Sequence, residues 1–156
     1  MLQFINRQNI AIFNSFSENF LKVINEIHDG NTITIEIINS QHPFFSAVAD
    51  STDPFATNTI MNPQVITINE QVCLHLNLTQ EKQYAIIAHE IGHILDDTAR
   101  QPNNQLIREC NADQFAVNLG LSQYLISGLE KIIDCSDYSN ERAAIICRIK
   151  KLANLA

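Results

Sequence analysis

The sequence has few basic residues and no cluster of them large enough to bind a polyanion. Ten Lys and Arg stand against 17 Asp and Glu in 156 residues, for a formal net charge of −7. Nucleic acids and anionic membrane surfaces are bound by clustered positive charge, so we expect neither as a partner. Glu141 adjoins the basic residues near the end, which we interpret as a solvated helix face: Arg142, Arg148, Lys150 and Lys151.

Export signals, membrane spans and a disulfide framework are missing as well. The opening residues, MLQFINRQNIAIFN, lack the charged, apolar and small-residue regions of a secretory signal. No apolar run approaches the roughly 18 residues of a membrane-spanning helix. The cysteines show no CxxC spacing: they are Cys73, Cys110, Cys135 and Cys147. We therefore expect a soluble cytoplasmic protein whose cysteines are reduced and mostly buried.

The pattern of the chain predicts one domain that begins with a helix, continues with a few strands and ends with helices. A chain of 156 residues, 46% of them hydrophobic, is long enough for one core, so we expect 1–156 to be a single domain. A capping box, Ser15 with Glu18, predicts a helix over 15–28. β-branched runs predict strands over 32–38 and 64–69, with further short strands in FFSAVAD and over 72–76.

Four further helices are predicted from capping residues. We expect them from Thr79 to about Thr98, from Asn103 or Asn104 to just before Gly120, from Ser122, and from Ser139. This order of elements favours an α+β fold, with a small sheet, an active-site helix and a helical C-terminal half.

The segment AIIAHEIGHILDD, residues 85–97, carries the strongest chemical motif. His89 and His93 are four residues apart, so a helix places both imidazoles on one face. Two neutral imidazoles so placed can share a divalent cation, and Glu90 beside them can act as a base on a water that the ion activates. Zinc suits this site best, because it accepts imidazole nitrogen and has no redox chemistry to control.

The surroundings of the motif matter, since three fixed positions can arise by chance. Apolar neighbours predict that the histidines are at least partly buried, and buried imidazoles need partners. Gly92 costs a helix interior about 1 kcal/mol relative to alanine. Its presence suggests that substrate or a neighbouring element approaches the backbone closely, and simple tolerance of glycine is the alternative.

A third ligand follows from the reach of a helical hairpin. If the helix runs on past His93, turns through RQPNN and returns, legs of roughly 9 and 7.5 Å bring Glu109 to the level of His93. Asp113 lies one turn further on the same face, among apolar residues where an unpaired carboxylate is costly. We predict that Glu109 binds the metal and that Asp113 accepts the other ring proton of His89. An ordinary charged helix face is the alternative.

Other zinc arrangements fit less well. A third histidine ten residues after the first would stand at position 99, which is Ala99. A site like that of peptide deformylase has Cys73 available, but the glycine-cysteine-leucine-serine context is missing. Cys73 and the nearby His75 stay minor alternatives, beside the simpler interpretations of a buried strand thiol and a surface histidine.

The linked motifs HEIGH and ECNADQFAVNLG resemble those of the gluzincin metallopeptidases, in particular the CAAX prenyl-protease type and the small soluble minigluzincins. The family pattern, HExxH followed by ExxxD, corresponds to His89, Glu90, His93, Glu109 and Asp113. The resemblance extends more weakly through YLISGLEKI and through NERAAIICRIKKL, which is similar to the family's late arginine-bearing helix. It implies a zincin-like fold, one zinc ion per chain and hydrolysis of peptide bonds.

The chain departs from the family pattern in two places. The interval from His93 to Glu109 is shorter than in the membrane prenyl proteases, which favours a soluble enzyme. SDYSNER replaces the Thr-His-Pro that usually precedes the late arginine, so we interpret Arg142 as a surface residue rather than a catalytic one. The repressor-cleaving zinc peptidases of bacteria and phage carry a similar core and stay an alternative.

These motifs predict a zinc metallopeptidase that acts on a peptide or protein substrate. Glu90 would take a proton from the attacking water and pass it to the leaving amine. The strand QVITIN is the expected edge along which an extended peptide pairs. Candidates for an oxyanion donor are Tyr84, Tyr124, Tyr138 and Arg142. The rival is a non-catalytic, zinc-stapled interaction module, whose site would be closed by four protein ligands.

Overall fold

The computed structural model describes residues 2–5, 18–27, 33–38, 47–50, 64–95, 105–134 and 141–155. Strands come first and helices dominate the rest of this part of the chain. The elements are β1 (Leu2–Ile5), α1 (Glu18–Ile27), β2 (Ile33–Ile38), β3 (Ala47–Asp50), β4 (Gln64–Asn69), α2 (Glu70–His75), α3 (Gln80–Leu95), α4 (Gln105–Asn118), α5 (Ser122–Ile133) and α6 (Arg142–Leu155).

The strands pair in the order β1-β2-β4-β3. β1, β2 and β4 run parallel to one another, and β3 runs antiparallel to β4. β4 is paired on both sides, so the prediction that QVITIN forms an edge strand is wrong. Strand order depends on how the connections cross the sheet, which the residues of one strand do not encode.

The predicted fold class, a zincin-like α+β fold, is wrong, because the described part of the chain is mostly helical. The strands are only four to six residues long. Helices α3 to α6 bury aliphatic faces on one another and form a core of their own: Ala85, Ala88, Ala116, Leu125, Leu129, Ile145 and Leu152. Fold class depends on which faces of the elements pack together. Local sequence patterns identify strands and helices but do not show that helices α3 to α6 form a core of their own.

Helix α3 lies between two cores. Ile86, Ile87 and Ile91 pack with the strands, α1 and α2, in a cluster that also contains Ile24, Ile35, Ile66, Ile68, Val72, Cys73, Leu76 and Leu78. Ala85 and Ala88 pack in the helical core instead. Because apolar neighbours cover α3 on both sides, polar side chains in its middle are buried or half-buried.

The strand expected over 72–76 is wrong, since helix α2 occupies Glu70–His75. The side chain of Asn69 caps this helix by accepting from the backbone N–H of Gln71 at 3.2 Å. Alternating apolar residues in so short a segment do not distinguish a strand from a short helix. Here the cap at Asn69 favours the helix.

The capping residues placed the later helices well. Thr79 precedes α3, and its hydroxyl accepts from the N–H of Lys82 at 3.4 Å. Gly120, two residues past the end of α4, has φ of +75°, as expected of a glycine that ends a helix. Helix α5 begins at Ser122 as expected, but Ser122 is its first helical residue and not its cap, since Leu121 stands at the cap position without a side-chain cap hydrogen bond. Ser15, Asn103, Asn104 and Ser139 lie outside the described residues.

Two further expectations concern membranes and cysteines. Among the described residues, no helix has the length and apolar character needed to cross a membrane. The expectation of mostly buried cysteines is wrong for the described part of the chain, where Cys73 is buried, Cys110 half-buried and Cys147 exposed. All three are free, and Cys135 lies outside the described residues. Burial, with the nearby charge of Glu70, raises the pKa of the Cys73 thiol to about 12.

Candidate metal centre

Helix α3 presents His89 and His93 side by side. Their ring centroids are 4.6 Å apart and the rings meet edge to face, at an interplanar angle of 82°. His89 is buried and His93 half-buried. The i, i+4 spacing therefore brings the two imidazoles together, as the sequence predicts.

Helix α4 supplies the third group of the cluster. Glu109 faces both imidazoles, with Oε2 3.3 Å from His89 Nε2 and Oε1 3.3 Å from His93 Nε2. One possible ligand atom from each residue lies within 4.8 Å of the other two, so these three side chains can hold a metal ion. Cys73 and His75 are not part of this group.

Asp113, one turn after Glu109, binds the other ring nitrogen of His89. The Nδ1 of His89 donates to Asp113 Oδ1 at 2.7 Å. Asp113 is only 3% exposed, so its carboxylate depends on partners within the protein. With Nδ1 directed at Asp113, Nε2 of the same ring is directed at Glu109.

Arg148 of α6 completes the cluster, and sequence reasoning missed it. Its Nε donates to Asp113 Oδ2 at 2.9 Å and its Nη2 to Asp113 Oδ1 at 2.6 Å, while Nη1 lies 3.0 Å from Glu109 Oε2. The prediction that the basic residues of this helix form a solvated face is wrong for Arg148, which is buried. Its spacing from the buried Ile145 and Leu152 places it on the apolar face of α6, and that periodicity was the available signal.

Hydrogen bonds and opposite charges shift the pKa values of this cluster. Burial alone lowers the pKa of His89, but hydrogen bonds to Asp113 and Glu109 outweigh it and raise the pKa to about 9. Burial alone raises the pKa values of Glu109 and Asp113, yet hydrogen bonds to histidine and the charge of Arg148 hold both well below their usual range. Burial lowers the pKa of Arg148, and the two carboxylates reverse that effect. The shifts therefore follow from opposite charges held together, with His89 and Arg148 facing Glu109 and Asp113.

Gly92 allows α3 and α4 to lie close together at this site. A Cβ added to Gly92 would lie 2.5 Å from the backbone oxygen of Ala112 and 2.7 Å from its Cα, which no real side chain tolerates. Close approach of a neighbouring element therefore accounts for glycine at this position. The approach occurs directly beside Asp113.

Glu90 and the candidate oxyanion donors occupy different surroundings. Glu90 is half-buried, and its charge contributes to the raised pKa of His89. Tyr84 is buried and stacks on Phe20, with ring centroids 4.4 Å apart. Tyr124 and Arg142 are exposed, as expected for a surface Arg142, and Tyr138 lies outside the described residues. The roles of Glu90 and of an oxyanion donor stay predictions.

Comparison of the chain with family models, with curated proteins and with solved structures gives no match. The resemblance to gluzincins therefore depends on the two motifs and on the side chains that they bring together.

Proposed function

We propose that this chain is a zinc-dependent metallopeptidase, with His89, His93 and Glu109 as zinc ligands and Glu90 as general base. The observation that carries the proposal is that two helices bring the side chains of His89, His93 and Glu109 together. Asp113 orients one of these ligands, His89, through a hydrogen bond. Zinc-binding imidazoles commonly donate their second ring proton to a carboxylate in this way.

The donor set fits a zinc ion of the catalytic kind. Two imidazole nitrogens and one carboxylate oxygen are the ligands of many catalytic zinc sites, whereas structural sites are usually closed by four protein ligands, often cysteines. Among the described residues, the group contains no cysteine and no fourth member. A three-ligand set leaves room for water and substrate.

Each residue has a distinct part in the proposed reaction. A bound zinc ion would supply Lewis acidity, which activates a water and polarises the scissile carbonyl. Glu90 accepts a proton from the attacking water and then delivers it to the leaving amine. Asp113 keeps the Nδ1 proton of His89 in place, which directs the Nε2 lone pair toward the cluster.

The sheet offers an edge for a peptide substrate close to α3. Among the strands that the structure describes, β3 lies at the edge of the sheet, and α3 packs against it. An extended peptide that adds to β3 would be held by main-chain hydrogen bonds, with little demand on its sequence. We propose β3, in place of β4, as the strand beside which the substrate lies.

The test is the variant Glu90→Gln, which keeps the shape of the side chain but cannot accept a proton. Cleavage of a peptide should fall by roughly 10² to 10⁴-fold, the usual loss on removing a general base. Zinc content and melting temperature should stay unchanged. Glu81→Gln, at an exposed position of the same helix, is the matched control.

Full activity in Glu90→Gln would refute the role of Glu90. If zinc-loaded wild-type protein cleaved nothing in a broad peptide library, the non-catalytic zinc module would be favoured. If cleavage were restricted to one regulatory protein, the repressor-cleaving type of peptidase would be favoured.

A further inference from the structure

Arg148 uses all three of its guanidinium nitrogens on the two carboxylates of α4. Two of them hold both oxygens of Asp113, at 2.9 and 2.6 Å, and the third lies 3.0 Å from Glu109. The donors of a guanidinium have a fixed planar arrangement, so such contacts set the direction of a carboxylate as well as its distance.

Without this cation the two carboxylates would repel each other. Glu109 and Asp113 are four residues apart on α4, a spacing at which like charges are unfavourable. Their side chains are only 25% and 4% exposed, so water screens the repulsion weakly. Loss of the guanidinium would leave this repulsion without a counter-charge and favour rotation of Glu109 toward water. That rotation would disturb the face shared with His89 and His93.

A guanidinium beside a metal site has an opposing effect, because it repels a metal cation. Here the charge of Arg148 is offset by the two carboxylates that it contacts. It also holds Oε2 of Glu109, while the other oxygen, Oε1, lies 3.3 Å from His93. The two effects predict opposite changes in metal affinity when Arg148 is removed, so the sign of the change separates them.

Helix α6 is anchored independently of Arg148. Ile145 and Leu152, about one turn before and one turn after it, are buried in the helical core with Leu125 and Leu129 of α5. Removal of the charge at position 148 should therefore leave α6 in place. This separation makes an effect on the metal site distinguishable from a general loss of structure.

We propose that Arg148 is a positioning residue, which orients Glu109 directly and His89 through Asp113, so that the metal-binding groups are arranged before the ion arrives. The inference rests on the proposed function in taking the cluster as a zinc site. It concerns zinc affinity and does not require that the protein cleave peptides.

The experiment compares Arg148→Met with Arg148→Lys, using zinc competition against a chromophoric chelator and thermal unfolding of the metal-free protein. Arg148→Met should weaken zinc binding by roughly 10 to 100-fold, as for other residues that orient ligands. Arg148→Lys should recover part of the loss, since an ammonium restores the charge but not the planar fork. Lys151→Met is the matched control, at an exposed position of the same helix, and should bind zinc as the wild type does.

A double-mutant cycle tests whether Arg148 acts through Asp113. If it does, the combined loss in a double variant of Arg148→Met and Asp113→Asn should be smaller than the product of the single losses. Multiplicative losses would overturn the part of the proposal that concerns His89.

Equal or tighter zinc binding by folded Arg148→Met would overturn the proposal. Tighter binding would mean that the guanidinium mainly repels the metal ion, and equal binding would mean that Arg148 only fills space. If that variant fails to fold, Arg148→Lys decides: weaker zinc binding supports the proposal, and wild-type affinity overturns it. Zinc-loaded wild-type protein that cleaves no peptide would refute the proposed function and leave this inference standing. Wild-type protein that binds no zinc would refute both.

Discussion

Helix α3 forms two helix–helix interfaces of opposite character. Toward α5 it packs aliphatic side chains, with Ala85 and Ala88 against Leu125 and Leu129. Toward α4 it presents imidazoles and a glycine backbone to Glu109, Asp113 and Ala112. Burial of apolar surface stabilises the first interface, whereas burial of charge is costly and is offset in the second by pairing. The difference predicts that stability and the proposed metal binding depend on separate faces of the same helix.

The largest effect on stability should come from the aliphatic interface. Leu125 is 1% exposed, and Leu125→Ala should lower the free energy of unfolding by about 2–5 kcal/mol through lost burial and an unfilled cavity. Chemical denaturation measures this loss, and zinc affinity of the folded variant should not change. Leu155→Ala, at a 51% exposed position of α6, is the control. A large loss of zinc affinity in Leu125→Ala would show that the two interfaces are not separate.

Substitutions in the charged interface between α3 and α4 should instead weaken zinc binding. Glu109→Ala removes a ligand and should weaken zinc affinity by more than about 100-fold, while Asp113→Ala, which removes only the partner of His89, should cost roughly 10 to 100-fold. Zinc competition measures both, with Glu130→Ala at an exposed position of α5 as control. If Asp113→Ala lost zinc and Glu109→Ala kept it, the roles of ligand and orienting residue would have to be exchanged.

Two buried glycines allow a matched test of the close contact between α3 and α4. Gly92→Ala should destabilise the protein by about 1–3 kcal/mol, because its Cβ would collide with the backbone of Ala112. At Gly128 of α5 a Cβ would meet only Ile86 Cδ1, at 3.9 Å. Gly128→Ala should therefore be neutral or stabilise by up to about 1 kcal/mol through better helix propensity. Similar results for the two variants, by chemical denaturation, would contradict the contact.

Zinc binding at the charged interface should also be coupled to protons. The pKa of His89 is raised to about 9, so near neutral pH this ring carries a proton that a zinc ion would have to displace. Apparent zinc affinity should rise with pH up to about 9, with at least one proton released per ion at pH 7.5. Titration calorimetry in buffers of different ionisation enthalpy measures that number. An affinity that does not change between pH 7 and 8.5 would contradict the raised pKa.

The same shift sets a pH dependence for the stability of the metal-free protein. The pKa of His89 lies above the value of about 6.5 for an unfolded histidine. Its contribution to stability is therefore fully present below about pH 6.5 and is lost as the pH rises through 9. Denaturation of the metal-free protein at pH 6 and pH 9.5 tests the sign.

Local patterns predicted helices better than they predicted strand pairing. Caps such as Thr79 and the glycine beyond α4 mark helix ends, because they satisfy backbone groups within a few residues. The segment 64–69 was identified as a strand, but its position inside the sheet depends on β2 and β3, which are distant in sequence. The fold class was wrong for a related reason, since it depends on helices α3 to α6 packing on one another.

The sequence by itself determined which side chains share a helix face. Spacings of four residues place His89 beside His93 and Glu109 beside Asp113, because an α-helix turns once in about 3.6 residues. Tertiary structure alone decided which helix face meets which. Arg148 lies 59 residues from His89 in the chain and reaches the cluster only because α6 packs against α4. Likewise, the need for glycine at position 92 arises from the backbone of Ala112, so it exists only once α3 and α4 are in contact.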